Sequence, residues 1–357
     1  MSGTHSLITP DPTNAPLVSV IVSTYNSERF LANALRNLEQ QTIADRIEII
    51  IIDSGSTQNE RTIVEEFQSH YNNIRYLRTG HETIYQAWNR GIRLAKGKYV
   101  TNANTDDCHR IDALEVMAGE LAQNPDIALV YADTAVTFEE NQTFATVEPD
   151  GYHLRPDYDP GIMLTGCHMG PQPMWRRCLH EELGYFREDL RSAGDYEFWC
   201  RVALRHQLKH IPQTLGLYYE NPHGICNSDL GLSVREARAI VDSYRGLLPV
   251  PPLMSAVLNK RHKGTGAFVN IGMITYNRLS YTRQSIASLI KYTDFPYVLT
   301  VVDNASHDGS REYLQRLHGQ GVIDNLIFLD ENVGVAKASK SGVAPRTGCL
   351  LLSQTGQ

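Results

Sequence analysis

Short β-branched apolar runs alternate with helical periodicities along the first part of the chain. Val18, Val20, Ile21 and Val22 form a compact apolar run at 17–23 with the character of a buried strand. It stops at Thr24-Tyr25-Asn26-Ser27, a loop and helix-start signal, after which Phe30, Leu31, Ala34, Leu35 and Leu38 recur at helical spacing. The pattern then repeats. A strand at 48–52 ends in the polar loop Asp53-Ser54-Gly55-Ser56-Thr57, and a helix covers 63–67. A strand at 74–77, a helix over 85–95 with Gly97 past its end, and a strand at 98–103 follow. Next come a helix over 111–123, a strand at 127–131, and a stretch at 139–165 rich in Pro, Asp, Gly and Tyr that reads as a long surface loop. Helices over 196–205 and 229–245 complete this part. The alternation predicts a mostly parallel sheet flanked by helices, with its polar loops at the C-terminal ends of strands, where open α/β sheets bind ligands.

A Pro-rich break at 247–252 is the best linker signal, and beyond it the chain begins again. Tyr276-Asn277 echoes Tyr25-Asn26 at a distance of 251 residues, and Asp303 echoes Asp53 at 250. Gly342 and Gly348 answer Gly91 and Gly97 at 251. A period this long predicts a duplicated domain and not a solenoid. On that register Gln357 stands at the place of Asp106, so the second copy stops where its carboxylates would come. The expected division is a polar tail at 1–16, a first domain at 17–246, a linker at 247–267, and a truncated or degenerate second copy at 268–357. The remainder of a longer tandem protein is an expected partner.

Composition narrows the function classes. An apolar fraction of 42% and a charged fraction of 20% describe an ordinary globular protein, and a net charge of −7 without a basic stripe argues against nucleic acid. No apolar run has the length of a membrane span, and 1–16 lacks the character of a signal peptide. The six cysteines are scattered without a C-x-x-C, which favours reduced thiols in a cytoplasm. His206 and His210 have the spacing of a helical metal pair but lack the accompanying glutamate. No G-x-G-x-x-G follows the first strand, which disfavours a nicotinamide dehydrogenase. A nucleotidyltransferase would open with a Gly-rich phosphate loop, where this chain has Thr24-Tyr25-Asn26.

Asn104-Thr105-Asp106-Asp107 stands at the end of the 98–103 strand. Carboxylates there are hard ligands for Mg²⁺ or Mn²⁺, and such an ion can bridge to a diphosphate; the plainer reading is that they start the next helix. Asp53 is either a ligand-binding carboxylate or an Asx-turn residue, and Asp195 either a base or a helix cap. Tyr25-Asn26 has a strand-ending turn as its plain alternative. Trp175 and Trp199 read as core, and Trp88 as core or pocket wall. Arg176 and Arg177 face an acceptor or diphosphate, or are a solvated pair.

The ordered motifs at 18–26, 52–57, 84–97, 104–107 and 193–201 together resemble family 2 glycosyltransferases with the GT-A fold. The resemblance spans 17 to about 225. It implies that Thr24, Tyr25 and Asn26 line a nucleotide pocket with Glu28 close by, and that Asp53 meets the nucleobase. It places Asn89 and Arg90 near ribose and diphosphate, and Asp106 on a Mn²⁺ or Mg²⁺ ion, with Asp107 beside it. It makes Asp195 the general base and His223 a residue that reaches the ion or diphosphate. Asn104 replaces the first aspartate of the D-x-D pattern, and Trp88 stands where many members carry Arg. The implied reaction is an inverting, metal-dependent hexosyl transfer from a nucleotide-sugar donor, UDP-linked by default, to a hydroxyl of a saccharide or lipid-linked saccharide. Such an acceptor is compatible with peripheral membrane contact. The competing expectation is a non-catalytic nucleotide-sugar-binding or scaffolding module.

Overall fold

The computed structural model describes residues 15–164, 166–221, 230–249, 269–292, 297–319, 322–334 and 349–353. The chain divides into two compact units, Met1–Leu248 and Pro249–Gln357. In the first, β1 (Val18–Thr24) lies between β2 (Ile47–Asp53) and β4 (Tyr99–Asn102), with β3 (Ile74–Arg78) beyond β2; all four strands are parallel. Helices α1 (Glu28–Glu39), α2 (Glu60–Gln68) and α3 (Ile84–Leu94) make the connections. The sheet continues from β4 through β8 (Met174–Arg176), β6 (Ile127–Thr137) and β9 (Gln207–Tyr219) to the short β5 (Cys108–His109), with β7 (Gly151–His153) on the side of β6. Helices α4 (Ala113–Gln123), α5 (Leu179–Leu183), α6 (Gly194–Ala203) and α7 (Leu230–Tyr244) complete the described elements of this unit.

The predicted periodicities set the core. Phe30, Leu31, Ala34, Leu35 and Leu38 of α1 are all buried, as is every residue of β2. Each aliphatic side chain so buried contributes about 1.5–3 kcal/mol relative to exposure. Helix α3 starts at a capping box: the Gln86 N–H donates to the Thr83 hydroxyl (3.4 Å), and the Thr83 N–H donates to the Gln86 side chain (2.9 Å).

Four sequence expectations change. Gly97 is not a left-handed helix cap. A Cβ there would lie 2.5 Å from the Ser19 backbone nitrogen, so the residue is small because the chain crosses β1 in contact. Beside it the buried Glu48 carboxylate accepts bonds from the Ser19 hydroxyl (2.6 Å) and the Lys96 N–H (2.6 Å). Strand β6 runs on to Thr137, well past 131, and 139–165 contains β7 and a 3-10 turn at Pro160–Leu164. Strand β9 was not anticipated. Pro212 argues against a strand, and it is tolerated because the β6 register skips from Ala132↔Ile211 to Asp133↔Thr214, leaving Pro212 and Gln213 outside the ladder. His206 and His210 consequently share no helix: α6 ends at Ala203, and His210 sits on β9 bonded to Asp133 and Asp157.

The second unit has β10 (Val269–Thr275), α8 (Leu279–Tyr292), β11 (Tyr297–Asp303), α9 (Ser310–Gly319), β12 (Asn325–Phe328) and β13 (Cys349–Ser353). Its parallel order β12-β11-β10-β13 repeats β3-β2-β1-β4. Asn277 repeats the positive φ of Asn26 (47° and 51°), and both side chains accept from the N–H that follows the loop serine. The strand pairing sets Cys349 opposite Asn270, as Val100 is set opposite Ser19, whereas the sequence repeat aligns Cys349 with Lys98. Gly342, Gly348 and Gln357 lie outside the described residues.

Gly97→Ala should destabilise the chain by about 1–3 kcal/mol, the usual cost of overpacking a close contact. Chemical denaturation of both proteins measures the loss; an unchanged midpoint would mean that the β1 approach is not tight.

Candidate active site

Parallel pairing brings Thr24 level with Asp53, and Ile21 level with Asn102, so the ends of β1, β2 and β4 open on one edge. Asp53 is fully buried there. Its Oδ1 accepts the Ser56 N–H (2.7 Å), and its Oδ2 accepts the Tyr76 hydroxyl (2.5 Å) and an Arg78 N–H (3.4 Å). Burial works against its charge, but the Tyr76 and Ser56 hydrogen bonds and the Arg78 cation outweigh burial and hold the carboxyl below its ordinary range. Asp53 therefore stays ionised beneath a loop that it shapes. Tyr25, 47% exposed, stands over this edge with its ring 4.6 Å from that of His81.

The neighbouring predicted residues are committed to the loops themselves. Thr24 is buried, and its hydroxyl has no partner among the described residues. The Asn26 N–H donates to the Ser56 hydroxyl, and its amide oxygen accepts the Thr57 N–H (2.8 Å). Glu28 accepts both the backbone and side-chain N–H groups of Asn59.

Asp106 and Asp107 do different work. Asp107 is buried; its Oδ1 accepts the Tyr219 N–H (3.1 Å) and its Oδ2 the Asn104 amide (2.9 Å). Burial, with Asp106 adjacent, pushes its carboxyl well above the ordinary range. It locks the loop after β4 to the end of β9. Asp106 is half-buried; its Oδ2 accepts the Asn221 amide (2.9 Å), and its Oδ1 has no hydrogen bond from a described residue. The Asn104 side chain donates to Asp107 through its nitrogen, and its amide oxygen receives no hydrogen bond from a described residue. An amide oxygen and a carboxylate oxygen are hard donors of the kind that Mg²⁺ or Mn²⁺ takes, an ion that keeps waters and draws its remaining ligands from phosphate. No group of three or more His, Cys, Asp or Glu side chains among the described residues could hold a metal by itself, so an ion here would need those outside ligands. His223 lies outside the described residues.

Asp195 opens α6, half-buried, with its Oδ1 accepting the Tyr85 hydroxyl (3.0 Å). Burial raises its carboxyl above the ordinary range, against the opposing pull of the Tyr196 N–H and the Tyr85 hydroxyl. Burial, together with the Asp195 charge, raises the Tyr85 phenol well up, so it remains a donor. The contact needs Gly194, where a Cβ would lie 2.7 Å from the Tyr85 ring.

Three expected site residues, Arg176, Asn89 and Trp88, have their polar groups spent inside the fold. Arg176 is buried at the end of β8, opposite Tyr99 of β4, and its guanidinium donates to the carbonyls of Leu121, Asn124 and Ile127, so its donors are spent inside the fold. Asn89 is buried and exchanges bonds with the Phe186 backbone while also donating to Glu188, so it anchors the loop that follows α5. Arg90, by contrast, is exposed and paired with Glu82, which accepts from the Thr79 hydroxyl beside the Asp53 loop, so it stays at the polar edge. Trp88 packs against Tyr85 and Phe186 and donates to the Ser23 hydroxyl (3.2 Å), which makes it core. Trp175 and Trp199 are core as well. Tyr76, Tyr85 and Asn221 carry no signal that marks them as site residues, although Tyr85 lies inside the 84–97 motif.

The family model of glycosyl transferase family 2 matches residues 19–177 and again 270–349. The chain is 28% identical over 271 residues to the uncharacterized glycosyltransferase YwdF of Bacillus subtilis, covering 73% of this chain and 98% of that one. It is 27% identical over 201 residues to the chondroitin synthase of Escherichia coli, covering 55% of this chain but only 28% of the synthase. Among solved structures, S. aureus TarS 1-349 in complex with UDP-GlcNAc matches with a TM-score of 0.51 at 19% identity, over 62% of this chain and 66% of that one. The mannosyltransferase PcManGT from Pyrobaculum calidifontis, in complex with GDP-Man and Mn²⁺, matches with a TM-score of 0.52 at 17% identity, over 88% of each chain. Both structural likenesses speak for the fold, a GT-A arrangement of a mostly parallel sheet between helices. With both of its units matched, the chain belongs to glycosyl transferase family 2.

Proposed function

We propose that the first unit transfers a sugar from a nucleotide-diphosphate donor, UDP-linked by preference, to a hydroxyl of a saccharide or lipid-linked saccharide, with inversion. The observation that carries this reading is the split among three carboxylates on the sheet's polar side. Asp107 is spent on structure, Asp106 keeps an oxygen uncommitted among the described residues, and Asp195 is half-buried with a raised pKa. Those are the needs of a transfer that must stabilise a leaving diphosphate and deprotonate an acceptor.

In this reading Tyr25 and the loop held by Asp53 receive the nucleoside. Asp106, with Asn104 and His223, holds a Mn²⁺ or Mg²⁺ ion, which when bound supplies Lewis-acid stabilisation to the diphosphate. Asp195 takes the proton of the acceptor hydroxyl as that oxygen attacks the anomeric carbon, and the Tyr85 hydroxyl holds the carboxylate in place. A single base on the side away from the leaving group gives one displacement and an inverted product. We assign this chemistry to the first unit because the described residues of the second rebuild only the Asp303 loop.

Asp195→Asn should lower turnover by about 10²–10⁴-fold, the range for losing a general base, with donor affinity retained because Asn still accepts from Tyr85. The same change should raise the melting temperature at neutral pH. A carboxyl whose folded pKa exceeds its unfolded value costs stability as pH rises from the unfolded pKa to the folded one, and Asn removes that cost. Turnover kinetics, nucleotide titration and melting curves on one pair of proteins decide the matter. A variant that binds donor poorly but turns over normally would refute the base.

Asp106→Ala should remove the Mn²⁺-dependent part of nucleotide affinity. Calorimetric titration of UDP, GDP and dTDP with and without Mn²⁺ reads this, and an unchanged metal dependence would take Asp106 out of the site.

A further inference from the structure

A single carboxylate on α7 organises the segment that leads into α6. Glu236 accepts main-chain hydrogen bonds from Arg191 (2.9 Å), Ser192 (2.9 Å) and Ala193 (3.0 Å). The Ser192 and Ser233 hydroxyls, 2.6 Å apart, tie the same two stretches a second time. Three consecutive N–H groups turned toward one anion form a backbone nest, and charge-assisted bonds of this kind are stronger than neutral ones. Gly194 and Asp195 follow the nest directly. Asp195 is thereby set from two sides, by the Tyr85 hydroxyl on α3 and by the Glu236-anchored segment on its own chain.

We propose that Glu236 is a positioning residue for Asp195: its carboxylate, seated in the 191–193 nest, fixes the first turn of α6 and so the place of the side chain that receives the acceptor's proton. This rests on the reading of Asp195 as base. Among the described residues, the groups that act on Asp195 are the Tyr85 hydroxyl from α3, the Tyr196 N–H and the Cys200 thiol of its own helix, and Glu236 from α7. Tyr85 and Cys200 stay protonated, so Glu236 is the anion of this set, and its repulsion adds to burial in raising the Asp195 carboxyl.

The test needs no substrate at its core. Carbon-13 carboxyl NMR of the full chain, with Asp195→Asn to identify the resonance, follows the Asp195 titration in the parent, Glu236→Gln and Glu236→Asp. Glu236→Gln should lower the Asp195 midpoint, because removing a nearby negative charge favours the ionised form. In turnover it should lower kcat by about 10–10²-fold, the scale of a misplaced catalytic group, with nucleotide Kd unchanged. Its acid limb should move to lower pH. Glu236→Asp keeps the charge but shortens the reach, so it should hold the midpoint while kcat falls; it also serves if the Gln variant does not fold. An unchanged midpoint and kcat in Glu236→Gln overturn the proposal, as does a fall confined to donor affinity. Failure of the parent to turn over any donor removes the transferase reading instead, and the NMR titration still reports the Glu236–Asp195 coupling.

Discussion

The parallel register of β1 between β2 and β4 is the constraint on which the rest of the first unit depends. A strand covered by helices on both faces has to be apolar along its length, so polarity is displaced to its ends. With three such strands in register, the displaced groups gather at the edge where Thr24 meets Asp53 and the loop after β4 begins. The other edge carries the Glu48 carboxylate, consumed by Ser19, Lys96 and Gly97 in holding the chain against β1. One end of the sheet is therefore closed by its own hydrogen bonds, and the other keeps oxygens for chemistry.

Much of the chemistry-bearing edge is itself scaffolding. Asp53 organises Ser56, Tyr76 and Arg78, Asn26 holds Thr57, Glu28 holds Asn59, and Asp107 joins β9 to the loop after β4. Asp106 differs from these in keeping an oxygen that no described residue bonds, and Asp195 in a carboxyl that burial raises. The second unit shows which part of the arrangement belongs to the sheet alone. It has the same strand order and the same Asn-to-serine loop tie, while Leu326 and Phe328 occupy the strand positions of Tyr76 and Arg78. Asp303 is as buried as Asp53 but keeps an oxygen without a hydrogen-bond partner among the described residues.

Strands β1, β2, β3 and β4 and helices α1 to α4 were legible in the chain because each is written in local periodicity. The outer half of β6 and all of β9 were not. Ala132, Asp133 and Thr134 carry no strand-like pattern until β7 and β9 cover them, and a bulge hides Pro212. Among site residues, the carboxylates were legible as types at strand and helix ends. Asn89 and Arg176 are spent inside the fold, since a motif position says nothing of whether a side chain's hydrogen bonds are already committed.

By itself, then, the sequence determined the order of elements from β1 to α4 apart from the short β5, the echo of the first motifs after 268, the polar edge and the family to which the motifs point. All of these follow from spacing along the chain. Tertiary structure decided which oxygen of which carboxylate stays available, that Tyr85 meets Asp195, and that Glu236 anchors the start of α6 from 43 residues away. Those are pairings between distant segments, and their strength comes from burial and hydrogen-bond geometry that exist only once the sheet has closed its core.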